Sequence, residues 1–196
     1  MLFYPANQPV PESGETSELL LLPLTTAHVE LDYEALMESK EMLRLWSQSA
    51  WPSDDFTPED NLEDLRQHEQ EHLRRVAFTY TVLDPTGKRC LGCVYIHPLP
   101  AKVLKSVAKS SLASGRDRCA ASVRFWVRQS RLADGLDRRL LAGLREWFEK
   151  EWPFDFVFFR TSALYKYQQS IFLEAGMRLT CEMADPNRPA VWLFYG

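Results

Sequence analysis

Three short stretches carry residue types that can do chemistry at the spacing found. The first is His68 to His72, "HEQEH", which fits H-E-x-x-H. Two histidines four apart share one helix face and can hold Zn²⁺, with Glu69 as general base. The flanks "DLRQ" and "LRR" are charged, whereas a catalytic zinc helix lies buried beneath its site. Neither His28 nor His97 stands at a spacing that supplies a third ligand. The expectation is a solvated helix face and no metal. The second stretch is "CLGC", Cys90 to Cys93, a C-x-x-C spacing with no second pair to complete a zinc site. It lies in a β-rich run, so the two thiols are expected on opposite faces of a sheet, as small buried hydrophobes.

The third stretch is "RLADGLDRR", residues 131 to 139, between an apolar run "SVRFWV" and an amphipathic run "LLAGLREWF". If Gly135 begins a helix, the unpaired N–H groups of the first turn point back toward the preceding strand. A pyrophosphate there would accept those hydrogen bonds and meet the positive end of the helix dipole. Arg128, Arg131, Arg138 and Arg139 add positive charge. Equally, Asp134 as N-cap and Asp137 three residues on can satisfy the same N–H groups. One glycine does not decide between cradle and cap.

The elements that must position these stretches follow from periodicity. "ELLLLPL" (18 to 24) reads as a strand stopped by Pro23. "TTAHVELDYEALMESKEMLRLW" reads as helical, with Thr25 or Thr26 as cap. "TPED" is a helix start, with Thr57 as N-cap, Pro58 first and Asp60 third, opening a polar surface helix to about Arg75. Residues 76 to 99 form a hairpin pattern around a Pro and Gly turn. Residues 98 to 121 read as a long basic loop or weak helix, carrying Lys102, Lys105, Lys109, Arg116 and Arg118. "SVRFWVRQ" is a strand, Gly135 to Trp152 a helix with Leu136, Leu140, Leu144, Trp147 and Phe148 on one face. "FDFVFFRT" is a buried central strand, "SALYKYQQSIFLEAG" a helix ended by Gly176, and "MRLTCEM" with "AVWLFY" a closing hairpin. The reading is a single mixed α/β domain over residues 18 to 196, behind a loosely ordered leader at 1 to 17.

The 196 residues are 45% hydrophobic and 26% charged, as in average soluble proteins, and can bury one substantial core. A net charge of −4 argues against a nucleic-acid binder, and no apolar run approaches bilayer length. The N-terminus has no basic region followed by a continuous apolar one, so no secretory signal is expected. Four cysteines in a chain of this size fit free thiols in a reducing cytoplasm.

The order of elements, with "SVRFWVRQSRLADGLDRRLLAGLREWFEKEW" and "SALYKYQQSIFLEAGMRL", resembles the GCN5-related N-acetyltransferase (GNAT) superfamily over roughly residues 18 to 196. The resemblance implies a central, mostly antiparallel sheet flanked by helices and splayed between its fourth and fifth strands. It implies acetyl-CoA in that gap, with pantetheine against the backbone of Phe125, Trp126 and Val127. The pyrophosphate would sit on N–H groups of residues 132 to 137, and Arg128, Arg131 and Arg138 would lie beside Leu132, Ala133, Asp134, Gly135, Leu136 and Asp137. Gln168 joins this cofactor-binding set. Gly135 matches the central glycine of the family's loop. Leu132 stands where Gln or Arg is usual, and Asp137 where Gly or Ala is usual. The glutamate common near the start of the fourth strand corresponds to about Ser122, and the tyrosine often used as acid to Phe172. Tyr165 or Tyr167 is the remaining candidate acid.

The activity the resemblance implies is direct acetyl transfer from acetyl-CoA to an amine, on a small molecule or a protein, by a cytoplasmic monomer or homodimer without metal. The acceptor would enter near the first helices, "WPSDDF" and the 98 to 121 loop, where Asp54, Asp55, Glu30 and Asp32 could attract a cationic amine. The missing Glu and Tyr equivalents support an alternative, a GNAT-scaffold protein that binds CoA or a partner in a regulatory role with weak or no turnover.

Overall fold

Two adjacent strands, β5 (Ala120–Val127) and β6 (Phe156–Ser162), run parallel but pair only from Ala120↔Phe156 to Val123↔Phe159. Beyond those positions they part, and β6 pairs only with its other neighbour, β8 (Trp192–Tyr195). The computed structural model that reveals this describes residues 3–105 and 119–196. Its remaining strands are β1 (Gly14–Glu15), β2 (Leu20–Pro23), β3 (Phe78–Leu83), β4 (Cys90–Pro98) and β7 (Leu179–Met183). The sheet order is β1-β2-β3-β4-β5-β6-β8-β7, antiparallel throughout except at β5–β6. The helices are α1 (Val29–Glu38), α2 (Lys40–Ser47), α3 (Pro58–Leu73), α4 (Leu136–Glu151) and α5 (Lys166–Glu174). The expected mixed α/β architecture with a sheet splayed at its centre is the one observed.

The period-2 alternation of β5 divides the core in two. Val123, Phe125 and Val127 pack with Leu140, Leu144 and Phe148 of α4 and with Ile171 and Phe172 of α5. Trp126 faces the other way, with Leu36 of α1, Leu43 and Trp46 of α2 and Leu65 of α3. Each of these leucines is fully buried, which stabilises the fold by about 1.5–3 kcal/mol apiece. The α3 start is as the sequence indicates: Thr57 Oγ1 accepts from the Asp60 N–H at 3.1 Å and Asp60 accepts from the Thr57 N–H at 2.9 Å.

Three expectations differ from the structure, and the helical stretch expected over residues 25 to 46 is divided into a 3₁₀ turn (Thr26–His28), α1 and α2, with the bend at Ser39. That serine turns its Oγ outward to accept the Gln129 N–H at 3.0 Å, fastening the bend to the segment after β5. The leader is not loose. Phe3, Tyr4 and Val10 pack against the core, the Tyr80 hydroxyl donates to the Pro11 carbonyl at 2.6 Å, and Gly14 pairs with Leu21. Its two aromatic residues supply apolar surface that the surrounding Pro, Ser and Gly do not.

Cys90 and Cys93 do not face opposite sides. Leu91 is an extra residue, because Leu83 pairs with Cys90 and Val82 with Gly92. This bulge flips the alternation, so both thiols enter the core beneath α1 while Leu91 and Val94 enter the other. Finally, the helix carrying "HEQEH" is not solvated on that side. His68 lies 5.4 Å from the Tyr95 ring, and His72 lies 5.2 Å from Phe78 and 5.3 Å from Tyr80. The i, i+4 spacing puts both on the face that packs on β3 and β4, and burial lowers both imidazole pKa values.

Of the expected 98 to 121 loop, residue 98 ends β4, 101–105 form a helical turn, and 120 begins β5. Lys109, Arg116 and Arg118 lie outside the described residues.

Candidate active site

Where β5 ends, the chain makes a short 3₁₀ turn, Gln129–Arg131, and enters α4 through Gly135. Gly135 has φ 69° and ψ 27°, a left-handed conformation that costs an L side chain about 1–2 kcal/mol. Most N–H groups of this loop are used locally. Those of Gln129 and Ser130 go to Ser39 Oγ and Glu38 Oε1, and those of Arg131, Leu132 and Gly135 to the carbonyls of Arg128, Gln129 and Leu132. The N–H groups of Ala133, Asp134 and Leu136 have no hydrogen-bond partner among the described residues. They lie at the positive end of α4 and could hold an anion.

The acids do not cap them as the alternative reading requires. Gly135, not Asp134, is the N-cap, and the Asp134 carboxylate accepts from Arg131 Nε at 2.7 Å. Asp137 Oδ1 accepts the Arg138 N–H at 2.9 Å, while its Oδ2 is buried without a partner. Burial raises the Asp137 pKa, and the N–H and guanidinium of Arg138 pull it partway back.

A cleft of about 630 Å³ opens beside this loop. Leu132 and Ala133 form one wall, Tyr165 and Tyr167 at the entry to α5 another, and Met42, Arg44 and Leu45 of α2 a third. Tyr165 is buried and its hydroxyl pKa is raised by that burial, with the negative charge of Asp137 adding to the effect. Tyr167 is more exposed; its hydroxyl donates to the Leu132 carbonyl at 3.3 Å and accepts from Arg138 Nη1 at 3.1 Å. The two tyrosines are thus brought to the loop, with their rings 6.2 Å apart.

Other expected cofactor-binding residues are placed differently. Arg128 is fully buried toward α1, where Nη1 meets Glu38 at 2.6 Å and Glu34 at 2.8 Å and Nε donates to the Cys90 carbonyl at 2.9 Å. It faces away from the loop, because β5 alternation puts it on the α1 side with Trp126. The Trp126 indole donates to the Tyr95 hydroxyl at 3.2 Å, and the Val127 and Leu136 side chains are core. Arg138 is paired with Glu174 at 2.8 Å, and Arg131 with Asp134. Gln168 lies at the splay itself, where its Nε2 donates to the Phe125 carbonyl at 2.9 Å. The same carbonyl accepts from Trp46 Nε1 at 2.9 Å. Trp46 and Ser39 had no sequence signal as site residues, since each reads only as part of a helix.

The acids suggested for a cationic acceptor do not form a site. Asp54 is held by Lys40 at 2.7 Å and Arg44 at 2.9 Å. Asp32 is buried, accepts from the Cys93 thiol at 3.3 Å, and has its pKa pushed up by burial to about 6. Glu30 and Asp55 are exposed. Among the described residues, no group of three or more His, Cys, Asp or Glu is arranged to hold a metal ion, and no helix is long and apolar enough to cross a membrane.

No family model matches the chain, and no curated protein matches its sequence. Solved structures do match. RimL, a ribosomal L7/L12 alpha-N-protein acetyltransferase, is 14% identical with a TM-score of 0.70, over 98% of this chain and 97% of its own. The microcin C7 self-immunity acetyltransferase MccE, in complex with acetyl-CoA and AMP, is 14% identical with a TM-score of 0.70, over 95% and 96%. A ribosomal-protein-S5-alanine acetyltransferase from Vibrio fischeri is 15% identical with a TM-score of 0.66, over 93% and 94%. With strands β5 and β6 parted above a glycine-led helix start, and with these likenesses along nearly its whole length, the chain has the fold of the GCN5-related N-acetyltransferase superfamily.

Proposed function

We propose that the protein is an acetyl-CoA-dependent N-acetyltransferase that passes an acetyl group directly to an amine. One observation carries the reading: Leu132, Ala133, Tyr165 and Tyr167 converge on one 630 Å³ cleft beside the unpaired N–H groups at the start of α4. The fold likeness to acetyltransferases, one of them solved with acetyl-CoA, supports it.

Acetyl-CoA, when bound, supplies a thioester activated for attack by an amine. The N–H groups of Ala133, Asp134 and Leu136 would hold its pyrophosphate, with Arg131 offsetting Asp134 and Arg138 offsetting Asp137 at 4.0 Å. Burial raises the Tyr165 pKa and keeps its proton in place, so its hydroxyl would serve a departing thiolate as a hydrogen-bond donor rather than as a strong acid. The Tyr167 hydroxyl donates a hydrogen bond to the Leu132 carbonyl and so orients the loop.

A thermal-shift titration with acetyl-CoA tests binding, because a ligand taken up only by the folded chain raises Tm. Thiol release from acetyl-CoA across an amine panel tests transfer. A rise in Tm together with thiol release is the expected result; neither a shift nor release would overturn the reading. One observation favours a second reading, a CoA-binding protein without turnover. The Phe125 carbonyl, on the backbone to which the resemblance assigns pantetheine, already accepts two hydrogen bonds, and a carbonyl has two lone pairs. A Tm shift without thiol release from any amine would select that reading.

A further inference from the structure

Arg124 of β5 and Arg160 of β6 stand one residue beyond Val123↔Phe159, the last paired position of the two strands. They are therefore neighbours across the mouth of the splay. The Arg124 guanidinium carbon lies 3.8 Å from the Trp46 ring centroid and 4.7 Å from that of Trp192. That of Arg160 lies 4.6 Å from the same Trp192 ring. Both guanidiniums thus share the sheet face covered by α2, bracketed by indoles.

Neither arginine is fully satisfied. Nε and Nη2 of Arg124 and Nε of Arg160 are buried with no hydrogen-bond partner among the described residues. The charges that act on them are mostly of their own sign. Arg160 and Arg188 lower the pKa of Arg124 after burial itself, and burial lowers that of Arg160 to about 10, with only Asp185 opposing. His97, on the adjacent β4, is kept neutral by burial and by both arginines, its pKa pushed down to about 3. Ser122, two residues before Arg124 on the same face, also has a buried Oγ without a partner.

Arg128 shows how this strand treats a structural arginine. Four residues further on, its guanidinium meets two glutamates and a backbone carbonyl, and although its Nη2 is buried without a partner among the described residues, its charge is paired. Arg124 and Arg160 have aromatic faces but, among the described residues, no carboxylate in an ion pair with either. Stacking on indoles compensates a cation only in part, and an unpaired buried charge destabilises the fold that holds it. Groups kept in that condition cluster at functional sites. A guanidinium fork matches a carboxylate or phosphate in a way that an ammonium does not.

We propose that Arg124 and Arg160 form a receptor for an oxyanion, carboxylate or phosphate, carried by the acceptor amine. The assignment of the oxyanion to an acceptor rests on the acetyl-transfer reading. It replaces the expectation of a cationic acceptor drawn by Asp54 and its neighbours, which are already paired, buried or dispersed.

Two measurements separate this proposal from that reading. In the first, sodium phosphate and sodium acetate are titrated into the wild type, Arg124→Gln and Arg160→Gln, with and without CoA, and binding is followed by calorimetry. Saturable binding of one anion to the wild type, at least tenfold weaker in both variants, is expected, and it requires no turnover. Equal affinity in wild type and variants, or no saturable binding, overturns the receptor. In the second, thiol release is compared for glycine against glycinamide and for phosphoethanolamine against ethanolamine. The oxyanion-bearing member of one pair is expected to have at least tenfold higher kcat/KM, and the pair that responds identifies the anion. Arg160→Gln should raise KM for that acceptor tenfold and leave KM for acetyl-CoA unchanged. Equal use of charged and neutral partners overturns the proposal. Should the variants not fold, competitive inhibition of the anionic acceptor by phosphate or acetate in the wild type decides, and non-competitive or absent inhibition counts against it. If acetyl-CoA neither shifts Tm nor loses its thiol while the anion binds through the arginines, the transfer reading fails and the receptor stands.

Discussion

Trp46 Nε1 donates to the Phe125 carbonyl at 2.9 Å, across 79 positions of sequence. This bond ties α2 to β5 where the strand has lost its neighbour, and does for that carbonyl what β6 would do in a continuous ladder. Trp46→Phe keeps the ring and removes the donor, so we expect a stability loss of about 1 kcal/mol. Urea denaturation followed by fluorescence and circular dichroism measures it. An unchanged midpoint would mean that Gln168 alone satisfies the carbonyl.

Asp137 sits at the start of α4 with one buried oxygen unpartnered. A carboxylate there opposes a bound pyrophosphate. Asp137→Asn keeps an oxygen for the Arg138 N–H and removes the charge. CoA affinity should rise about fivefold, the order expected for one unit charge near the surface. Calorimetric titration reads this directly, and weaker binding would count against the cradle.

The Asp32 carboxyl has a folded pKa near 6 against an ordinary 3.8, because burial disfavours its charge. The folded chain therefore binds this proton more tightly than the unfolded chain does. Its contribution to stability is fully present below about pH 4, falls as pH rises toward 6, and stays lost above that. The fall is on the order of 3 kcal/mol. Asp32→Asn should abolish it, leaving the variant more stable than the wild type at pH 7. Denaturation curves collected from pH 4 to 7 test this, and parallel pH profiles for the two proteins would refute it.

Gly92 follows the bulge in β4, and a Cβ on it would come within 2.1 Å of the Trp126 carbonyl oxygen and 2.9 Å of Val127 Cα. Both are backbone atoms of β5 and cannot swing aside. Gly92→Ala should cost about 3 kcal/mol by forcing β4 from β5. A thermal melt detects a change of this size easily. Wild-type stability in the variant would show that the bulge can relax.

Much of the architecture was legible because it depends on local pattern. The apolar stripe of α4, the capping box at Thr57 and the continuous apolar run of β6 each specify an element with few alternatives. The place of Gly135 at a strand-to-helix joint was legible too, whereas its left-handed conformation and its role as N-cap in place of Asp134 came from the structure. In the sequence Arg128 reads as a cofactor-binding arginine, and Arg124 and Arg160 carry no signal that sets them apart. Their different fates depend on which carboxylates the fold brings into contact, Glu34 and Glu38 for the first and, among the described residues, none in an ion pair with the other two.

The sequence alone determined the element types and their order, because periodicity, caps and turn residues act within a few positions of one another. It also located the strand-to-helix loop at Gly135, but not whether its N–H groups are paired. Tertiary structure alone decided which side chains share a face once a single extra residue, Leu91, reverses the alternation of β4. It likewise decided that β5 and β6 part after Val123 and Phe159, which leaves one carbonyl to Trp46 and Gln168 and two guanidiniums without an ion pair among the described residues. Contacts of this kind join residues tens of positions apart, and their energies depend on distance and burial that no local pattern encodes.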